Sequence, residues 1–260
     1  MIIATWNINS IRARIETAVA WVKEANPDVL CLQEIKCETA SFPEAAFEDL
    51  GYNLAIHGQK SYNGVAILSK AKPEDIRCGL AGDESDAPAR YVEALIPASF
   101  GMVRVASIYL PNGNPPGTEK YAYKLAWMDR LARHARELMK LEEPLVLAGD
   151  YNVIPKALDA KYPENWVTDA LFLPETRAKY RSLQNIGLTD AVRAIVNDKP
   201  GVYSFWDYQA GAWQKNNGIR IDHLLLSPQA ADRLQTARID THVRGWERPS
   251  DHVPVVISLA

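Results

Sequence analysis

Leu145-Val146-Leu147-Ala148-Gly149-Asp150-Tyr151-Asn152 is an apolar run that meets a glycine and then sets two polar side chains two positions apart. The run has the length and the flanking turn residue of a buried strand. Side chains alternate along an extended chain, so Asp150 and Asn152 fall on one face. The same arrangement recurs. Ile2 to Ala4 lead into Thr5-Trp6-Asn7-Ile8-Asn9, with Asn7 and Asn9 on one face and Trp6 and Ile8 on the other. Val29-Leu30-Cys31-Leu32 run into Gln33-Glu34, and Val103 to Leu110 lead past Tyr109 to Pro111-Asn112. Asp251-His252 stand directly before the closing apolar run. Carboxylates, amides and a histidine placed repeatedly at strand ends predict one polar patch along a sheet edge.

Around these ends the pattern predicts strands over 2–8, 28–33, 63–69, 90–96, 102–110, 145–150, 219–226 and 253–259. One helix is expected from Ile11, Ile15, Val19 and Val22, capped by Asn9 or Ser10 and ended by Asn26-Pro27. A second follows Thr118, with Tyr121, Leu125, Met128, Leu131, Ala135 and Leu138 as its stripe, and stops before Pro144. A shorter one opens at Pro174-Glu175. With no low-complexity linker and no block of like charge, a single domain over 1–260 is expected. Its halves, roughly 1–117 and 118–260, echo one another: Asn63 to Ser69 resembles Ile221 to Ser227, and both Trp6 to Asn9 and Asp150 to Val153 follow apolar strands. That echo suits two packed sheets with helices outside.

The 260 residues are 47% hydrophobic and 23% charged, enough apolar material for one large core. The first residues carry neither a basic segment nor a small-residue cleavage site, so no secretory signal is expected. No apolar run nears the roughly 20 residues of a membrane helix. The three cysteines lack metal-type spacing. Cys31 reads as buried and Cys37 and Cys78 as incidental, which makes a reducing cytoplasm the expected location. A net charge of −3 is not the footprint of a protein that holds duplex by charge alone. Arg177, Lys179 and Arg181, and also Lys215 and Arg220, gather locally, and a solvated surface is their ordinary reading.

Each polar residue singled out has an equally ordinary reading. Asn and Asp after strands make turns, Glu34 alone is a surface carboxylate, and His252 alone is a satisfied loop histidine. Asp222 is harder to dismiss, because a carboxylate inside an apolar strand needs a partner. Its neighbour His223 points to the opposite face and is not that partner. The completeness of the set carries the argument.

Together these segments resemble the exonuclease III and abasic-site (AP) endonuclease family, within the wider superfamily of DNase I, inositol polyphosphate phosphatases and sphingomyelinases. The matching stretches are Thr5 to Asn9, Leu32-Gln33-Glu34, Asn63 to Ala66, Tyr109 to Asn112, Gly149 to Asn152, Arg220-Ile221-Asp222 and Ser250-Asp251-His252, in the family's order. Phe172 to Glu175 and Ser204 to Tyr208 point to the repair nucleases. The resemblance implies a four-layer α/β sandwich, two packed mixed β-sheets flanked by helices, with the site at one edge. It implies Mg²⁺ or Mn²⁺ held by oxygen donors, with Glu34 as principal ligand joined by Asn7 and Asp251. Some relatives carry aspartate where this chain has Asn9, which leaves that position's role open. Asp150 is the candidate to orient or deprotonate water and Asn152 to hold that water or a phosphoryl oxygen. His252, kept protonated by Asp222, is the candidate donor to a non-bridging oxygen, and Tyr109 the candidate to stabilise the transition state or assist proton transfer. Asp150, Asn152 and His252 are also a possible second ion site.

For substrate, the resemblance implies double-stranded DNA with abasic sites or blocked 3′ ends, met by a monomer. Asn112 is a substrate-binding candidate, and Phe205, Ile219 and Ile221 are candidates for the pocket that takes a sugar without its base. Ordinary core is the alternative for the isoleucines. Strict alternation also turns them away from Asp222, so the chain must leave strand geometry there if all three serve one site. Some relatives have tryptophan at the Ile219 position and insert an arginine and a methionine into DNA near Asn114 and at Gln209. Without these wedges, incision at abasic sites should be accompanied by 3′ trimming (exonuclease or 3′-phosphatase). The competing readings are a relative acting on inositol phosphates, lipids or RNA, and a catalytically dead docking module. Intact Glu34, Asp150, Asn152, Asp222 and His252 count against the last.

Overall fold

The computed structural model describes residues 1–260. Its strands are β1 (Ile2–Asn7), β2 (Val29–Gln33), β3 (Asn53–His57), β4 (Val65–Ser69), β5 (Glu74–Cys78), β6 (Tyr91–Ala98), β7 (Gly101–Tyr109), β8 (Leu145–Asp150), β9 (Thr189–Asp190), β10 (Asp222–Leu226), β11 (Leu234–Ile239) and β12 (Val255–Leu259). The helices are α1 (Ile15–Ala25), α2 (Ala45–Glu48), α3 (Glu119–Met139), α4 (Pro174–Asn185), α5 (Ala191–Val196) and α6 (Pro228–Ala231). One sheet has the order β11-β12-β1-β2-β4-β3 and the other β5-β6-β7-β8-β10-β9. Both are mixed: β1 runs parallel to β2, and β7 to β8. The first sheet takes strands from both ends of the chain, so a division near residue 117 is not a division between sheets.

Side-chain alternation builds the layers. In β1, Ile3 faces the opposite sheet, where it joins Cys31, Ile67, Val105, Val146 and Leu224 in one buried cluster. Ala4 and Trp6 face outward and pack with Ala18, Trp21 and Val22 of α1. In β8, Val146 and Ala148 face the other sheet, while Leu145 and Leu147 face α3 and α4 through Met128, Leu131 and Tyr180. Helix, sheet, sheet, helix is thus the order of layers. Trp21 is fully buried and donates Nε1 to Asp240 Oδ2 at 3.0 Å; its loss to alanine would cost about 3–5 kcal/mol. Gly149 marks the closest approach of β8 to β7, since a Cβ there would lie 2.0 Å from the Ile108 carbonyl oxygen. No helix is long and apolar enough to cross a membrane.

Several local expectations change. Asn9 and Ser10 do not cap α1. They take left-handed φ of 46° and 84°, and the helix opens four residues past Ile11, at Ile15. Asn9 therefore leaves the strand after Asn7 and does not share its face by alternation. Strand β10 begins at Asp222, three residues later than expected. Strands β3, β5 and β11 were not legible: β5 is exposed along its whole length, and the other two bury too few side chains to alternate cleanly. Arg220 is not on the surface. It is 1% exposed and held by Asp159 and Asp190 at 2.7 and 2.8 Å.

Candidate active site

Asn7, Tyr109, Asp150 and Asp222 occupy strand-end positions whose parity turns them toward the opposite sheet, so the two sheets deliver them to one edge. A buried polar layer lies beneath. Thr5 Oγ1 donates to Gln33 Oε1 at 3.2 Å, and Gln33 Nε2 reaches across the sheets to Ser107 Oγ at 3.0 Å. Three candidate site residues, Asn9, Glu34 and Asn152, take left-handed backbone, with φ of 46°, 48° and 48°. Such positions cost on the order of 1 kcal/mol or more each and turn the chain sharply where the strands end.

Asp222 accepts from His252 Nδ1 at 2.9 and 3.1 Å and from Ser204 Oγ at 2.6 Å. It stands opposite Asp150 in the β8–β10 register, and His252 Nε2 lies 3.8 Å from Asp150 Oδ2. Burial opposes the imidazolium, but Asp222 and then Asp150 outweigh it and raise the His252 pKa to about 10. Burial pushes Asp150 up to about 7, against the pull of His252, the Asn7 amide and the Asn152 N–H. Glu34 is held below the usual carboxylate range: burial works against its charge, and the Lys36 ammonium at 2.9 Å and the Asn7 amide more than compensate. Burial, with the charges of Glu34 and Asp150, holds the Tyr109 phenol protonated.

Asn7 Nδ2 donates to both Glu34 Oε1 and Asp150 Oδ2 at 2.9 Å, and its oxygen accepts from Asn9 N. Asn9 takes Lys36 Nζ on its oxygen at 2.5 Å and donates to Asp251 Oδ1 at 3.1 Å. Asn152 accepts from Asn112 Nδ2 at 3.1 Å, donates to the Leu110 carbonyl, and gives its own N–H to Asp150. A cavity of 230 Å³ opens on this edge. Its polar wall includes Glu34, Tyr109, Asn112, Asp150, Asn152, Asp251 and His252, and its apolar wall Trp166, Leu171, Phe205, Ile219 and Ile221. The Phe205 ring sits 4.9 Å from the His252 ring at 67°. Ile219 lies outside any strand, bridged to Phe205 and Ala160.

All twelve sequence-derived candidates therefore come to one edge, with Asn7 and Asp222 beneath the cavity floor. As metal donors, the carboxylates of Glu34 and Asp251 fit a hard divalent cation, with no thiolate among them. Asp150, Asp222 and His252 also place ligand atoms within 4.8 Å of one another. A protonated His252 has no lone pair for an ion.

Sequence reading missed four features. Lys36 bridges Glu34 and Asn9, and its only sequence signal was its place two residues past Glu34. Lys124 in α3 is fully buried and donates to the carbonyls of Asn112 and Asn152 at 2.9 and 2.6 Å, and burial lowers its pKa to about 7. Ser204 holds Asp222. Trp166 sits in a 3₁₀ turn, Pro163–Trp166, with no periodicity to announce it.

A model of the Endonuclease/Exonuclease/phosphatase family matches residues 4–252. The chain is 36% identical over 261 residues to Exodeoxyribonuclease III of Haemophilus influenzae, covering 96% of this chain and 97% of that one. A solved AP endonuclease from Archaeoglobus fulgidus superposes with a TM-score of 0.94 at 36% identity, covering 100% of this chain and 99% of that one. The 3′ phosphatase NExo from Neisseria, solved as a variant bound to product DNA hairpin, gives a TM-score of 0.94 at 35% identity, with the same coverage.

Proposed function

The chain belongs to the Endonuclease/Exonuclease/phosphatase family, in its exonuclease III and AP endonuclease branch, and from that premise we propose that it is a DNA repair nuclease that cuts 5′ to abasic sites and trims 3′ ends. One observation carries the reading: the Asp150 carboxyl and the His252 ring, itself held by Asp222, stand 3.8 Å apart on the wall of a cavity whose other side is apolar.

Asp150 accepts a proton from water as that water attacks phosphorus, and a pKa near neutrality suits a general base. Both its oxygens are already oriented, one by Asn152 N and one by Asn7 Nδ2. His252 donates Nε2–H to a non-bridging oxygen as negative charge builds, and Asp222 fixes the ring through Nδ1. Tyr109 serves as a neutral phenol that donates a hydrogen bond. The bond from phosphorus to the 3′ oxygen breaks, leaving a 3′-hydroxyl and a 5′-phosphate. Glu34 and Asp251 would hold Mg²⁺ or Mn²⁺, which when bound supplies Lewis-acid neutralisation of phosphate charge. Asn7, whose nitrogen faces both carboxylates, spaces Glu34 from Asp150. With His252 protonated, one ion on the Glu34 side suffices. Phe205, Ile219 and Ile221, with Trp166 and Leu171, receive the base-free sugar, and Asn112 steadies the Asn152 wall. The protein acts as a cytoplasmic monomer on duplex DNA.

The test is a duplex carrying one abasic site, with and without Mg²⁺, beside a 3′-phosphate duplex and an inositol polyphosphate. Metal-dependent incision and 3′ trimming are expected. Turnover of the inositol phosphate with neither DNA cut would overturn the reading.

A further inference from the structure

The Asp150–Asn152 turn is fastened from behind by a buried residue that touches no part of the cavity. His223 is fully buried on the face of β10 opposite the site, its ring between Tyr151 and Tyr180 at centroid distances of 5.6 and 4.9 Å. Its Nδ1 lies 2.9 Å from Arg220 NH1 and its Nε2 3.0 Å from the Val153 carbonyl oxygen. A guanidinium only donates and a carbonyl only accepts. Nδ1 must therefore be bare and Nε2 must carry the proton, a single neutral tautomer fixed by its two partners.

The partners fix each other in turn. Arg220 is anchored by Asp159 and Asp190, and Arg193 also pairs with Asp159 at 2.5 Å, so two carboxylates meet two guanidiniums and a further positive charge has no counterpart. Burial and Arg220 accordingly hold the His223 pKa down to about 4. At the other end, no backbone N–H takes the Val153 carbonyl, which leaves it to His223 alone. Val153 directly follows Asn152, and Tyr151 N donates to the Ile221 carbonyl at 2.9 Å, so this segment supports the turn from behind, while Lys124 holds the Asn152 carbonyl.

We propose that His223 is a positioning residue, one that transmits the rigidity of the Arg220 ion cluster to the turn carrying Asp150 and Asn152. This rests on the assignment of Asp150 as the base that activates the attacking water. Loss of such a support misplaces a reacting group by a fraction of an ångström to an ångström, an effect on the order of 10- to 100-fold in rate.

The experiment has two arms. In the first, the side-chain nitrogens of the full-length protein are read by ¹H–¹⁵N NMR; His223 should show a protonated Nε2 and a bare Nδ1. This arm uses no activity, so a failed assignment of Asp150 or of the substrate leaves it intact. In the second, His223→Phe keeps the ring and removes both hydrogen bonds, whereas His223→Gln keeps one donor and one acceptor. On abasic duplex, His223→Phe should lower kcat about 10- to 100-fold with KM within about twofold, and His223→Gln should recover most of the loss. Unchanged kcat in folded His223→Phe, equal losses in both variants, or a proton on Nδ1 in the native protein would each overturn the proposal. Should His223→Phe not fold, the tautomer and the His223→Gln kinetics still decide it.

Discussion

Replacing Asp222 with asparagine keeps the shape of the side chain and removes the charge that holds His252 protonated. Asp222 is fully buried and meets Nδ1 at 2.9 Å, and it is the strongest of the three carboxylates, with Asp150 and Asp251, that outweigh burial and lift His252 from 6.5 to about 10. That rise corresponds to at most about 5 kcal/mol in favour of the imidazolium. With the carboxylate gone, only Asp150 and Asp251 oppose burial, so the pKa of the ring falls and the ring is neutral over more of the alkaline range. A charged donor aimed at a developing oxyanion is then lost, which elsewhere costs about 10²–10³ in rate, and about 10⁴ where the lost carboxylate also set a tautomer. Asp222→Asn and His252→Ala should therefore each lower single-turnover cleavage of an abasic duplex by about 10²–10⁴, and the double variant by little more. The pH profile separates charge from shape. Native activity should rise as Asp150 ionises through about 7 and fall as His252 deprotonates through about 10. The Asp222→Asn alkaline limb should move well down in pH. Losses that add, or an unmoved alkaline limb in variants whose thermal melts show a folded protein, would refute the coupling.

Chelation should abolish cutting, and Mg²⁺ or Mn²⁺ should restore it; Glu34→Gln should raise the metal concentration needed, read by titration, and full activity in excess EDTA would exclude the ion. Ile219→Trp narrows the apolar wall and should lower 3′ trimming relative to abasic incision by on the order of fivefold, measured as a rate ratio on matched duplexes; an unchanged ratio would remove Ile219 from the pocket. His223, at about 4 in the folded chain against 6.5 unfolded, leaves the native state unprotonated where the unfolded state takes a proton. Its contribution is thus complete above pH 6.5 and is lost as pH falls toward 4, about 3 kcal/mol in all. Asp150, raised to about 7, works in the opposite sense over that range, so in urea melts the stability of His223→Phe should fall with rising pH where that of the native protein does not.

The sandwich was legible because its central strands are buried on both sides and read as unbroken apolar runs, as in Leu145 to Ala148. The edges were not. Strand β5 exposes all five residues and carries neither an apolar run nor clean alternation, and it exists because β6 offers it a ladder. The start of α1 misled for a related reason: Asn9 and Ser10 are the right residue types for a cap, but Asn9 is claimed by Lys36 and Asp251, partners 27 and 242 residues away. Local propensity lost to a long-range site. Lys124 and Arg220 were illegible on the same ground, since a cation reads as surface until its distant acceptors are known.

The sharpest case is the segment 219–222. Alternation forbids Ile219, Ile221 and Asp222 from sharing a side, yet the isoleucines line the cavity and Asp222 holds His252 just beneath it. The chain meets both demands by breaking the strand between Ile221 and Asp222, so that Arg220 and His223, three apart, also fall together on the far side. What stabilises the break is Ser204, whose Oγ accepts from the N–H groups of both Ile221 and Asp222 and donates to the Asp222 carboxylate. One hydroxyl thereby satisfies two backbone donors that a ladder would otherwise have to take, and aims the carboxylate at His252. The tension was visible in the spacing alone. Its resolution was not, because it comes from a residue seventeen and eighteen positions upstream, on a segment with no regular secondary structure, whose approach only the folded chain determines.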